Sequence, residues 1–250
     1  MTSFLKMHGL GNDFVILDSR TDALNLSHDR IRQIADRHFG VGCDQLIVLE
    51  PSTRADVFMR IYNPDASEAG ACGNATRCVA SLLMDEKKSD RIVVETITGL
   101  LPCTRAGADV TVDMGMPRLD WNQIPLASEM DTLDVDGAVC VNMGNPHAVL
   151  FVKDAEAVDL EREGRAREIS AVFPQRANIE FVHVIDRSTV RARVWERGAG
   201  ITLACGSGAC AVAVAAIRKG LTERTVTVKM DGGDLRLEWR EADGHVYMTG

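Results

Sequence analysis

The segment Ala71-Cys72-Gly73-Asn74-Ala75-Thr76-Arg77-Cys78-Val79-Ala80 has a counterpart later in the chain, Ala204-Cys205-Gly206-Ser207-Gly208-Ala209-Cys210-Ala211-Val212-Ala213. Cys72 and Cys205 stand 133 positions apart. The same step carries Gly11-Asn12 onto Gly144-Asn145 and Gln45 onto Asn178. It also carries Arg60-Ile61-Tyr62-Asn63 onto Arg193-Val194-Trp195-Glu196, and Arg91 and Val93 onto Arg224 and Val226. Glycine fills 21 of the 250 positions, so Gly over Gly means little; only seven are cysteine, so Cys over Cys among matched neighbours means more. A step this long is outside the range of solenoid repeats and points to a duplicated domain, with halves of roughly 1–117 and 118–250.

Each half reads alike. Phe14 to Leu17 and Ala148 to Val152 are apolar runs after a Gly-Asn turn, as strands are. Val57 to Tyr62 and Val190 to Trp195 alternate apolar with polar residues, the pattern of half-buried strands. Further strands fit 91–96, 108–113, 179–185, 224–229 and 234–239. A helix fits 28–38, with Ser27 as N-cap and Gly40 past its end, and another fits about 160–169. The quoted segments open two more helices, 73–86 and 206–219, and the second is apolar around most of its circumference, so it should be buried. The expectation is an α+β fold of two pseudo-symmetric halves. Each is a mostly antiparallel or mixed sheet wrapped around a central buried helix, with an active site between the halves.

The chemistry concentrates at the two helix starts. A helix N-terminus offers unpaired N–H groups and a partial positive charge, and first-turn acids usually answer it. Neither segment has one there. Each has Gly73 or Gly206 beside the cysteine, where a carboxylate could approach the backbone. The same field should lower the thiol pKa, making Cys72 and Cys205 candidate acid and base. Two thiols on opposite faces of an α-carbon could invert it, one removing a proton and the other supplying one. Asn12 with Asn145, Gln45 with Asn178, and Asn63 with Glu196 fall into register under the same step, which favours a shared polar pocket. His147, beside the duplicated Gly-Asn, is a further candidate. Cys43, Cys78, Cys103, Cys140 and Cys210 read as buried thiols.

Other classes are disfavoured. Charged residues make up 26%, the net charge is -8, and no basic block is present, which argues against a nucleic-acid partner. No apolar run approaches the length of a membrane span, and the first residues contain no apolar leader core, so the expectation is a cytoplasmic protein without a membrane partner. The cysteines form no zinc-finger spacing, and no metal site is expected. Gly198-Ala199-Gly200 lacks the Gly-Lys-Ser/Thr ending of a phosphate loop.

With Gly9-Leu10-Gly11-Asn12-Asp13-Phe14, Asn63 through Cys78, Gly144-Asn145-Pro146-His147, Glu196 through Gly200 and Leu203 through Cys210, the chain resembles the diaminopimelate epimerase family from its N-terminus to Gly250. The resemblance implies stereoinversion between LL- and meso-diaminopimelate, on the route to lysine and peptidoglycan, without pyridoxal or any other cofactor, by a homodimer. It implies Cys72 and Cys205 as the catalytic pair, with His147 and Glu196 assisting. Asn12, Gln45, Asn63, Gly73, Asn74, Asn145, Asn178, Glu196, Arg197, Gly206 and Ser207 would bind substrate. Arg197 suits a second carboxylate, which a guanidinium grips bidentately. The chain departs from the family pattern at Ala66 and Ala75, where Gly is usual, and at Ile201, where Glu is frequent; the family usually continues past Gly250. Two other readings stand beside this one: a proline or hydroxyproline racemase of the same two-cysteine design, and a non-catalytic carboxylate-binding module.

Overall fold

The computed structural model describes residues 3–250 and divides into two compact units, one ending at Val112 and the other running from Asp113 to Gly250. In the first unit the elements are β1 (Leu5–Gly9), β2 (Asn12–Asp18), α1 (His28–Ala35), β3 (Gln45–Glu50), β4 (Val57–Tyr62), β5 (Glu68–Ala69), α2 (Gly73–Lys87), β6 (Arg91–Thr96), β7 (Gly99–Ala106) and β8 (Asp109–Asp113). The second unit has β9 (Ala138–Asn142), β10 (Pro146–Phe151), α3 (Leu160–Glu168), β11 (Asn178–Asp186), β12 (Thr189–Glu196), β13 (Gly200–Thr202), α4 (Gly206–Arg218), β14 (Thr225–Met230), β15 (Gly233–Trp239) and β16 (Val246–Thr249).

The two units repeat each other strand for strand. The first has the order β1-β2-β3-β4-β6-β7-β8 with β5 on β4; the second has β9-β10-β11-β12-β14-β15-β16 with β13 on β12. The senses agree as well. β2 with β3 and β4 with β6 are parallel, as are β10 with β11 and β12 with β14, and the other neighbours are antiparallel. Phe14 stands opposite Gln45 in one unit and His147 opposite Asn178 in the other, positions that the 133-residue step superimposes. This is an α+β duplicated fold with mixed sheets.

Each sheet curls around one helix. α2 packs on β1, β6 and β7, and α4 touches every strand of its unit except β13. From Ala209 to Ala216 no residue of α4 is exposed. Small side chains on all faces let strands approach on every side, which is why so apolar a helix is stable only at the centre. Alternation along the strands assigns the two faces of each sheet. Val15, Leu17 and Leu46 cluster with Ile31 of α1, and Ala148, Leu150, Ile179 and Phe181 cluster with Leu160 of α3. The intervening residues, Phe14, Ile16 and Ile47 in one unit and His147, Val149 and Glu180 in the other, therefore point to the side of the central helix.

α1 is shorter than the sequence pattern suggests. Ser27 caps it as expected, accepting from Arg30 N–H, but the helix ends at Ala35 rather than near residue 38. The Asp36 carboxylate accepts from the N–H groups of both His38 and Phe39 at 2.7 Å, and that local turn replaces the next helical hydrogen bonds. α3 carries a glycine in mid-helix for a packing reason. A Cβ on Gly164 would lie 2.5 Å from Trp195 Cβ and 2.6 Å from its Cγ, atoms close to the backbone of β12 that cannot swing aside. Trp195 is held from the other end by its indole N–H, which donates to Glu168 at 2.7 Å. Gly164→Ala is expected to lower the unfolding free energy by about 1–3 kcal/mol through overpacking. Urea unfolding followed by tryptophan fluorescence checks this; an unchanged midpoint would show that α3 lifts off Trp195 freely.

Candidate functional site

Two kinds of helix start are present. α1 and α3 begin conventionally, with Ser27 and Asp159 as side-chain caps and Asp29, Glu161 and Glu163 in their first turns. α2 and α4 begin on cysteines in extended backbone, Cys72 at φ -147 and ψ 110 and Cys205 at φ -123 and ψ 113, with no acid in either first turn. The surface helices thus cap their starts with side-chain oxygen; of the two central helices, α4 caps Gly208 N–H with the Cys205 sulfur and α2 has no side-chain cap bond from Cys72.

In the first unit the thiol of Cys72 lies 3.6 Å from Asn12 Oδ1, which also accepts from Asn74 Nδ2 at 3.4 Å. Asn12 is fixed from behind, its Nδ2 donating to Asp44 Oδ2 at 3.0 Å. Asn74 Oδ1 accepts from Arg77, a guanidinium only 6% exposed, at 2.8 Å. Gln45 Nε2 donates to Asn63 Oδ1 at 3.2 Å, and Gln45 Oε1 is buried without a hydrogen-bond partner. Asn12, Cys72 and Asn74 thus form one cluster and Gln45 with Asn63 a second, while Gly73 opens α2. Asp44 and Arg77, which hold the amides in place, were not singled out from the sequence; neither has a counterpart of its own type under the 133-residue step.

In the second unit Cys205 is 7% exposed. Its sulfur accepts from Gly208 N–H at 3.3 Å and lies 3.5 Å from Ser207 Oγ. Glu196, on β12, hydrogen-bonds the same thiol. Thr202 on β13 donates to Glu196 at 2.5 Å and fixes the carboxyl. His147 Nδ1 is 2.6 Å from Glu180 Oε1 and its Nε2 is 2.9 Å from Asn145 Oδ1, so both ring nitrogens are engaged. Asn178 staples two loops, donating to Pro146 O at 3.0 Å and accepting from Arg197 N–H at 2.9 Å. The Arg197 guanidinium is exposed and donates to Gln175 O at 3.1 Å. A cavity of about 430 Å³ opens beside these groups, lined by Arg118, Gln123, Asn142, Asn145, Gln175 and Arg197.

The ionisation of Cys205 differs from the sequence expectation. Burial pushes its thiol well above the usual cysteine range, and the carboxylates of Glu196 and Glu180 push it further. Ser207 and Gly208 N–H oppose this but lose. Desolvation, the largest contribution, outweighs the helix-start field and the two bonds to Ser207 and Gly208. Burial also raises Glu196 and Glu180. Glu180, Thr202 and Arg118 escaped the sequence reading. The signal for Glu180 was a lone acid inside an apolar strand, falling on Ile47 under the 133-residue step.

The family model described as diaminopimelate epimerase matches residues 4–119 and 139–250. A diaminopimelate epimerase of Rhodospirillum centenum is 60% identical over 99% of this chain and 88% of its own length. That of Gluconobacter oxydans is 55% identical over 99% and 95%. Among solved structures, a predicted epimerase from Pseudomonas aeruginosa superimposes with a TM-score of 0.70 at 19% identity, over 100% of this chain and 95% of that one. A hydroxyproline epimerase from Agrobacterium vitis gives 0.67 at 14%, over 99% and 88%. Identities this low show the fold alone.

The raised Cys205 pKa fixes a sign. Below its pKa the group is a thiol, so alkylation by iodoacetamide should be slow at neutral pH and rise only at strongly alkaline pH. Glu196→Gln removes one of the opposing charges and should move that rise to lower pH by about one unit or more. Peptide mass spectrometry of Cys205 modification against pH checks both. Fast alkylation at pH 7, or no shift in the variant, would contradict the electrostatics described.

Proposed function

The chain belongs to the diaminopimelate epimerase family, and on that premise we propose that it inverts one α-carbon of diaminopimelate, interconverting the LL and meso forms with Cys72 and Cys205 as the proton-transferring pair. The observation that carries the reading is the pair of buried helices that start on Cys-Gly with no acid in the first turn. Stereoinversion by two bases requires one sulfur on each face of the α-carbon. A thiolate on one face takes the α-proton and a thiol on the other delivers its own, so the number of protons on the two sulfurs is conserved. The first-turn backbone at Gly73, Asn74, Gly206 and Ser207 receives the α-carboxylate and stabilises the charge that spreads onto it as the proton leaves. A Cys205 held as thiol enters this scheme as the acid, and the reverse direction starts from the opposite protonation of the pair. Protein groups carry every step of the scheme, without a metal or an organic cofactor.

Substrate length is supported by the second unit. The α-carboxylate is one negative end of diaminopimelate, and the distal carboxylate is the other. The cavity lined by Arg118 and Arg197 offers two guanidinium groups to it. Proline and hydroxyproline have nothing to place there. A binding module would need the helix ends and not the sulfurs. The proposal extends to Asn12, Gln45, Asn63, Asn145 and Asn178 as the polar lining and to Glu196 and His147 as supports of the thiols. It also places a homodimer in the cytoplasm. Seven free thiols among the described residues fit a reducing compartment, and no helix of the described residues is long and apolar enough to cross a membrane.

Incubation of the reduced chain with LL-diaminopimelate, followed by chiral separation, should give meso product. Cys72→Ala or Cys205→Ala should each lower the rate at least about 100-fold in a folded protein. Arg197→Met should raise KM about tenfold or more, with a smaller change in kcat. Inversion of proline with none of diaminopimelate, or near-normal activity in either cysteine variant, would overturn the reading.

A further inference from the structure

We propose that Glu180 is a positioning residue which, through His147, orients the side-chain amide of Asn145 so that its N–H donors serve the substrate cavity. The inference deepens the function proposed above, since it rests on Asn145 contacting substrate. The three groups form a chain within one unit: Glu180 Oε1 to His147 Nδ1 at 2.6 Å, and His147 Nε2 to Asn145 Oδ1 at 2.9 Å. Glu180 and His147 are 0% exposed. Asn145 is partly exposed and lines the cavity with Arg118 and Arg197.

Proton counting fixes the direction of the chain. A buried pair with net charge is expensive, so the pair stays neutral overall. A proton on Glu180 Oε2 is disfavoured, because that atom is buried with no acceptor in reach, and two arrangements remain. Either a neutral Glu180 carboxyl donates to Nδ1 of a neutral imidazole, or a carboxylate accepts from an imidazolium. They differ only in where the shared proton sits in the 2.6 Å contact. Both leave a proton on Nε2. An Nε2–H demands an acceptor, so Asn145 must turn Oδ1 toward His147 and its NH₂ away from it. The excluded arrangement, a carboxylate beside an imidazole with bare Nε2, would put a net negative charge at two fully buried side chains; Arg218 stands beyond Cys140, bonded to its carbonyl at 3.2 Å. The titratable groups around the pair strengthen the exclusion. Glu196 and Cys205 lie on one side, and Cys140, pushed up to about 12 by burial and by Glu180, lies on the other.

Three further observations favour a built device over an incidental buried pair. Glu180 Oε2 is buried with no hydrogen-bond partner, which a protonated or proton-sharing carboxyl tolerates better than a full anion. Gly208 makes room for it, since a Cβ there would lie 2.9 Å from Glu180 Oε1. The first unit fills the equivalent positions with Phe14 and Ile47, both fully buried, so the fold itself needs no polar pair at this place. What the second unit gains over the first is an amide held by its oxygen, whereas Asn12 is held by its Nδ2 at Asp44. A donor-presenting Asn145 suits a carboxylate, whereas a flipped amide would offer it an oxygen.

The test uses the intact chain labelled with ¹⁵N-histidine. Long-range ¹H–¹⁵N correlation from pH 6 to 9 reads the tautomer, and His147→Asn identifies the resonance among the six histidines. The proposal expects a proton on Nε2 throughout; a bare Nε2 overturns it, whatever the activity. In Glu180→Gln the neutral amide can meet either tautomer, so the lock is lost and KM for diaminopimelate should rise several-fold with a smaller change in kcat. The same substitution in an Asn145→Ala background should then have no further effect on KM; additive effects would overturn the coupling. If Glu180→Gln does not fold, the wild-type tautomer decides alone. Turnover of diaminopimelate with a bare Nε2 would refute this inference and leave the proposed function standing. A protonated Nε2 in a chain that neither binds nor turns over diaminopimelate would refute the function and with it the role assigned to Asn145.

Discussion

An α-helix whose first turn is buried must still do something with the N–H groups there. Water is absent, and each unanswered donor costs on the order of a kcal/mol or more. α2 and α4 face this problem because the sheet of each unit curls around them. Both begin on a cysteine with glycine at the first helical position and no carboxylate of their own; the Cys205 sulfur caps Gly208 N–H, while the Cys72 side chain makes no cap bond. Most other features of the two units follow from that choice. β2 brings Asn12 to the start of α2, and β12 brings Glu196 close enough to Cys205 to raise its thiol. The outer helices α1 and α3 close the far face with ordinary capping.

The duplication preserves backbone and relaxes chemistry. Strand order, pairing sense and the register of β2 on β3 repeat in the second unit. The side chains around the two sulfurs do not. Cys72 sits among amides, with the buried Arg77 guanidinium behind Asn74. Cys205 sits among acids, Glu196 bonded to it and Glu180 near enough to raise its pKa. Phe14 and Ile47 fill with hydrocarbon what His147 and Glu180 fill with a proton-sharing pair. Two like thiols on a symmetric frame would have like affinities for protons. Burial and the two nearby acids raise the Cys205 thiol, so its ionisation is set by its neighbours and not by the symmetry of the frame.

The fold was legible because the repeat is carried by rare residues. Two cysteines in matched words located both central helices, and from their apolar character the burial followed. The Ser27 cap was legible too, since capping is local chemistry. The end of α1 was not, because the Asp36 side chain closes a turn that the apolar pattern runs through. β3 and β9 were missed for another reason: Leu46-Ile47-Val48-Leu49 and Ala138-Val139-Cys140-Val141 are continuous apolar runs buried on both faces, and a run of that kind carries no period. Within the candidate site, the residues at helix starts and after duplicated turns could be named. Glu180 could not, since its meaning depends on His147 from another strand and on Gly208 from a helix. The Cys205 thiol shows the same limit, because its ionisation is set first by burial and then by carboxylates brought close by folding, against a helix field that the sequence alone displays.

The most direct measurement is proton exchange at the inverted carbon. The reduced chain, incubated with LL-diaminopimelate in deuterated water, should form meso product carrying solvent deuterium at the new centre. Early in the reaction, substrate that has not inverted should remain largely undeuterated, because the base that takes the proton and the acid that delivers one are different sulfurs. Product retaining its original α-hydrogen, or substrate exchanging much faster than it inverts, would contradict a two-thiol mechanism at Cys72 and Cys205.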